Sequence, residues 1–168
     1  MNAKLERYVN DGFMTEAQAN YIEEAIKNGE TLIASGHVSA NVRNLMAATM
    51  SIAMEQHKTT KVAGVDDVQG DALYFVVPKL NEDTYQDVLQ AVLNKKGAAL
   101  VTMKIPEHPY SVIKMMKDAY KAELDENKVI NLMECNKIDN VPKLMKFSRM
   151  SYGENGKVLR EDKEVLEV

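Results

Sequence analysis

The residues of this chain with the spacing of a chemical site are Gly36-His37-Val38-Ser39-Ala40-Asn41-Val42-Arg43. They lie between a short apolar run, Thr31 to Ser35, and a helix-patterned stretch from Asn41 to about Gln56. A strand that turns directly into a helix is where a phosphate-binding loop, G-x-x-x-x-G-K-[ST], would hold an anion against backbone N–H groups. Of its fixed residues the chain keeps the first glycine. Asn41 stands in the place of the second, Val42 in that of the lysine and Arg43 in that of the hydroxyl residue. Gly36, His37, Ser39, Asn41 and Arg43 remain as anion-binding candidates, with ATP the ligand such a loop would take. The favoured reading is plainer: a strand-to-helix connection in which Asn41 or Ser39 caps the helix.

Asp66 and Asp67 follow a predicted strand, Lys61 to Val65, and open α/β sheets bind ligands at the carboxyl ends of their strands. They are the best acidic candidates, although turn formation accounts for them more simply. His37, His57 and His108 are scattered, with no two at helical spacing, so no metal site is expected and all three read as solvent-exposed. Cys135, the single cysteine, has no evident base partner and reads as a small buried or half-buried residue. One cysteine makes no intrachain disulfide, which suits a reducing compartment. Lys137, Lys143, Lys146 and Arg149 form a basic cluster, which reads as a solvated face rather than a nucleic-acid surface.

These residues must be positioned by the rest of a chain of 168 residues, 45% hydrophobic and 27% charged, with a net charge of -4. That balance is ordinary for a globular protein, and no basic excess draws it to nucleic acid or membrane. The start lacks the apolar core of a signal peptide, and no apolar run would span a bilayer, so the expectation is a cytoplasmic protein without membrane insertion. One domain over residues 1–168 is expected: a helical lead-in over 1–29, an α/β core over 30–124, and a C-terminal helix or strand plus hairpin over 125–168.

Leu5 to Asn10 predicts a short helix closed by Asp11-Gly12. Thr15 with Gln18 makes a capping-box pattern ahead of a second helix, whose face of Tyr21, Ile22, Ala25 and Ile26 ends at Asn28-Gly29. After the Thr31 strand, Leu45, Ala48, Thr49, Ile52 and Ala53 form one stripe and Met46, Met50 and Met54 the next, which predicts a helix buried on more than one side. Met-rich stripes of this kind are usually core, and an adaptable docking face otherwise. Leu73 to Val77 reads as a central parallel strand, Tyr85 to Val92 as a helix stopped at Lys95-Lys96-Gly97, and Ala98 to Met103 as a further strand. Val112, Ile113, Met116 and Tyr120 give a helical face. Asn127 to Asn136 fits helix or strand. Leu144 to Tyr152 and Lys157 to Val168 flank Gly153-Glu154-Asn155-Gly156 and read as a β-hairpin at one sheet edge. Alternating strands and helices predict an α/β fold with a mostly parallel sheet.

The order of these pieces resembles the C-terminal motor domain of the secretion and conjugation traffic ATPases, over about Leu5 to Val168. Met14-Thr15-Glu16-Ala17-Gln18 through Ala25, leading into Glu30-Thr31-Leu32-Ile33-Ala34-Ser35-Gly36, is similar to the family's approach to its phosphate-binding loop. Asp87-Val88-Leu89-Gln90-Ala91 resembles the helix after its Walker B strand, and Ala98 to Met103 the strand leading to its histidine. Met145 to Val168 is similar to its closing strands, and Asp66-Asp67 to its acidic box. The resemblance implies a P-loop NTPase-like, RecA-like sheet. It also implies departures, because Val42 and Arg43 replace the lysine and hydroxyl, Pro78-Lys79 a Gly-Glu pair, and Lys104 the histidine. Only Val68 to Ala72 remains where the family carries a longer stretch with arginines at the nucleotide.

Phosphoryl transfer depends on positioned cations and a metal, and removing one such partner typically costs about 10²- to 10³-fold in rate. The resemblance with these departures therefore implies a catalytically degenerate relative, without catalytic residues, metal or required cofactor. It would work as a structural or regulatory subunit whose partners are proteins, a true secretion-type ATPase or itself. Two other readings stand beside it. One is a nucleotide- or phosphate-binding enzyme in which Arg43 and Asp66 or Asp67 replace the usual groups. The other is a small α/β binding module of a phage or mobile element.

Overall fold

Residues 1–123 and 125–163 are described by the structure, a computed structural model. Two helices open the chain, α1 (Ala3–Asn10) and α2 (Glu16–Lys27). The Thr15 hydroxyl accepts from the Gln18 N–H at 3.1 Å while the Gln18 side chain accepts from the Thr15 N–H at 2.9 Å, so the capping box forms as its spacing predicts. Next come β1 (Thr31–Ser35), α3 (Val42–Gln56), β2 (Thr59–Lys61) and β3 (Tyr74–Val76). The chain continues with α4 (Tyr85–Asn94), β4 (Ala99–Lys104), α5 (Val112–Glu123), β5 (Ile130–Ile138), β6 (Val141–Tyr152) and β7 (Val158–Lys163).

Among the described residues the strands form one seven-stranded sheet in the order β2-β3-β4-β1-β5-β6-β7. Pairing is parallel from β2 through β5 and antiparallel for β5-β6 and β6-β7. Helices cover both faces. Tyr21 of α2 stacks on Phe147 with ring centres 4.2 Å apart. Tyr152 is an odd number of residues further along β6 and so on the opposite face; its hydroxyl donates to the Met116 carbonyl of α5 at 2.5 Å. α3 packs beside α1 and α2 over β1 and β4, and α4 packs beside α5. Buried residues from all these layers join in one apolar core, with Tyr74, Phe75 and Phe147 its largest fully buried side chains.

Several expectations need correction. The strand predicted over Lys61 to Val65 lies earlier, at Thr59–Lys61, because Tyr74–Val76 pairs it there in parallel register and Gly64 then starts a 3-10 turn at Val65–Asp67. The Asn127 to Asn136 stretch is strand, since Ile130 to Glu134 pair along β1. Its continuation turns back through Asp139 and Asn140, both at positive φ, so the expected strand-plus-hairpin alternative is the one that forms, as a three-stranded meander. The hairpin predicted to Val168 is β6 and β7, and residues 164–168 lie outside the described residues. Of the methionine stripe, Met46 is buried, Met50 half-buried and Met54 59% exposed, because an i, i+4 row winds gradually around a helix and leaves the covered face. On α5, Met115 takes the inward position expected of Ile113, which is exposed.

Candidate functional site

The chain leaves β1 for α3 on one face of the sheet and leaves β4 for α5 on the other. The carboxyl ends of β1 and β4, which are neighbours, therefore mark the position at which open α/β sheets take ligands. The turn Gly36 to Asn41 sits at this point. Its shape is set by local bonds. Gly36 leaves the strand at φ +136° and donates its N–H to the Lys104 carbonyl at 3.0 Å, which ties the turn to β4. Val38–Ala40 form a 3-10 turn whose Ser39 N–H donates to His37 Nδ1 at 3.1 Å, with the Ser39 hydroxyl 2.8 Å from the same nitrogen. Asn41 takes the left-handed conformation at φ +69°, and its side-chain oxygen accepts from Asn44 Nδ2 at 2.8 Å.

Of the two expected capping residues, Asn41 holds the N-cap position of α3, its carbonyl accepting from the Leu45 N–H, but its side chain makes no capping bond; His37 caps the 3-10 turn. Of the anion-binding candidates, Gly36, His37, Ser39, Asn41 and Arg43 are contiguous, with His37, Ser39 and Arg43 at least partly open to solvent. Val42, where a phosphate-binding lysine would start, is fully buried in the core. Its side chain packs beside Gly36, with Cγ2 3.5 Å from where a Gly36 Cβ would lie.

Asp66 and Asp67 are not brought to this turn. They lie past β2, at the sheet edge, with β3 and β4 between β2 and β1. Asp67 accepts from the Ala63 N–H at 2.8 Å and the Gly64 N–H at 3.2 Å, bonds that hold its carboxyl below the usual range and close the turn. Asp66 is exposed.

At this end of the sheet, register aligns Lys104, Ser35, Glu134 and Lys146 across β4, β1, β5 and β6, with their side chains on the α5 face. Lys104 lies over the Tyr110 ring, 5.7 Å from its centre. The Tyr110 hydroxyl donates to the Met103 carbonyl at 2.9 Å, and burial raises its pKa. Glu134 meets the buried Ser148 hydroxyl at 2.5 Å, and Ser148 also bonds Asp162 at 2.9 Å. Bonds from Lys146, Ser148 and Arg160 depress the Asp162 carboxyl to about 2. Sequence reasoning missed this network, because its members are far apart along the chain and converge through antiparallel register.

The remaining candidates separate. His37 is open to solvent as expected, but His57 and His108 are half-buried: His57 Nε2 lies 2.7 Å from the Ile26 carbonyl, and His108 packs edge-on against Tyr85 at 4.9 Å. Aromatic neighbours on separate elements draw both rings inward. The basic cluster is no single patch, since Arg149 and Lys146 point to opposite faces of β6. Arg149 pairs with Glu30 under α2, Lys146 pairs with Asp162, and Lys143 donates to the Gly12 carbonyl at 2.6 Å. Cys135 is buried, and burial, with Glu134 nearby, pushes its thiol up to about 12. Among the described residues no group of three His, Cys, Asp or Glu side chains is placed to hold a metal ion, and no helix is long and apolar enough to cross a membrane.

Fold and site together define an α/β protein with a mostly parallel sheet and a connection at its topological switch point. No protein-family model matches the chain, and no curated protein matches it.

Proposed function

We propose that the chain is a catalytically degenerate P-loop NTPase-like domain of the secretion and conjugation ATPase kind, with a RecA-like core, acting as a structural or regulatory protein-interaction subunit. One observation carries the reading: β3, β4 and β1, the strands matched to the Walker B strand, the histidine strand and the phosphate-loop strand, are side by side. Their carboxyl ends would have to converge to serve one nucleotide. In this chain those ends carry Pro78-Lys79, Lys104 and the buried Val42. Two cations stand where a metal-binding acid and a histidine would be, and an apolar side chain faces the core where a lysine would reach a phosphate. Such an edge lacks the groups that stabilise phosphoryl transfer. The retained core then serves as a rigid scaffold for protein partners, a true secretion-type ATPase or a second copy.

The test is calorimetric titration of the purified protein with ATP, ADP and a non-hydrolysable analogue, each with and without Mg²⁺. The expected result is no binding heat up to millimolar nucleotide and phosphate release at the buffer background. Binding heat that disappears in Arg43→Ala or Ser39→Ala would overturn the reading in favour of a nucleotide- or phosphate-binding enzyme. Ser39 and Arg43, open to solvent beside the start of α3, are the observation that keeps this second reading in view.

A further inference from the structure

We propose that the open edge of β7 is a self-recognition surface, through which two copies of this chain pair antiparallel about a two-fold axis into one continuous sheet. Among the described residues β7 pairs with β6 alone and ends the sheet. The Gly153 N–H donates to the Lys157 carbonyl at 2.7 Å, which sets the phase of the β6-β7 ladder. Hydrogen-bonded and non-hydrogen-bonded pairs alternate, so Leu159, Glu161 and Lys163 turn their backbone groups toward β6. Val158, Arg160 and Asp162 turn theirs outward.

The outward-facing pair Arg160 and Asp162 has opposite charges two residues apart, and that pattern is its own complement. With the two-fold axis at Glu161, Arg160 of one copy lies opposite Asp162 of the other, and Asp162 opposite Arg160. Both form hydrogen-bonded backbone pairs, with side chains on the same face. Glu161 then meets its symmetry mate on the other face. Lys163, 3.6 Å from Glu161 within the chain, is also diagonal to the second copy's Glu161, so two lysines flank the two glutamates. Leu159, 47% exposed, lies opposite the aliphatic stem of the second copy's Lys163, which can cover it. A shift of the axis by one residue, to Arg160, would set Arg160 against itself.

Edge charges commonly guard a sheet against pairing with foreign strands. Here the same charges also complement a second copy. Arg160 already donates to Asp162 and Ser148 at 3.1 and 3.0 Å. A guanidinium has five donors, so a second carboxylate can be served without breaking those bonds. The inference stands apart from the reading of the β1–α3 turn, and nucleotide binding there would leave it unchanged.

Sedimentation of the full chain over a range of concentrations tests it. Wild type is expected to show a concentration-dependent dimer, while Arg160→Asp and Asp162→Arg, which create like-charge pairs, weaken it about tenfold or more. An equimolar mixture of the two variants restores the dimer, because each supplies the charge the other lacks. The double variant Arg160→Asp/Asp162→Arg dimerises alone, and it carries the test if a single variant fails to fold by near-UV circular dichroism. A wild type that stays monomeric at its solubility limit overturns the proposal, as do single variants that dimerise like wild type, or a folded double variant that stays monomeric.

Discussion

Gly36 lies against the carbonyl oxygen of Cys135: a Cβ built on Gly36 would come within 2.5 Å of that oxygen. The contact joins the exit of β1 to β5 just past its last residue paired with β1, so the turn leaves the strand only where no side chain intervenes. The φ of Gly36 is also positive, in a backbone region that side chains rarely adopt.

Gly36→Ala should therefore cost about 3 kcal/mol, combining backbone strain with a clash against a backbone atom that moves only if β5 moves. Gly64 is the control. Its φ is an extended -146°, and a Cβ there meets nothing among the described residues within 4 Å. Gly64→Ala should change stability by about 0.5 kcal/mol or less. Urea unfolding midpoints of the two variants read the difference.

Restoring the residues of a phosphate-binding loop should harm the fold instead of repairing a site. Val42 is fully buried, so Val42→Lys places an ammonium in the core. That should cost about 3 kcal/mol or more. Arg43 is exposed. Arg43→Ser should stay within about 0.5 kcal/mol of wild type. Thermal unfolding checks both, and calorimetry should show no ATP binding gained in the double variant.

Glu30 and Arg149 tie the start of β1 to β6 through a two-pronged ion pair at 2.6 and 3.0 Å, and Asn131 donates to the same carboxylate at 2.9 Å. The Glu30 side chain is only 10% exposed. Removing its cation leaves a charge with little water to solvate it. Arg149→Met should cost about 2–4 kcal/mol. The double variant Glu30→Gln/Arg149→Met should cost less than the sum of the singles, and a double-mutant cycle on unfolding free energies measures that coupling.

Cys135 should be unreactive in the folded protein. Burial, with Glu134 nearby, lifts its thiol from an ordinary 9.0 to about 12, so the fold favours the neutral form. This contribution to stability is fully present below the ordinary thiol value and is lost as pH rises toward about 12. Alkylation at about pH 8 should be about 10²-fold or more slower than in denaturant. Tyr152, raised by burial to about 12, titrates in the upper part of the same window, so Cys135→Ala should flatten only part of the alkaline loss.

Local signals in the sequence were legible to within a residue or two. The Thr15–Gln18 capping box, the Thr31–Ser35 strand and the Lys95-Lys96-Gly97 stop all depend on residues close together in the chain, and each appears where its spacing predicts. Where a partner strand decides, the reading slipped. The predicted Lys61 to Val65 strand moved to Thr59–Lys61 under the register of β3, and the ambiguous Asn127 to Asn136 stretch became strand by pairing with β1. The candidate site divided in the same way: Gly36 to Arg43 are contiguous and could be read, whereas the distance to Asp66 and Asp67 depends on strand order.

By itself the sequence determined the alternation of strands and helices, through apolar periodicity and turn residues, and the absence of a lysine and a hydroxyl from their places in the turn after β1. Tertiary structure alone decided that Val42 faces the core, that Arg149 and Lys146 part to opposite faces of β6, and that Glu134, Ser148 and Asp162 meet. The physical reason is that periodicity records which face of an element is apolar. Which element lies against that face is set by pairing and packing between residues distant in the chain.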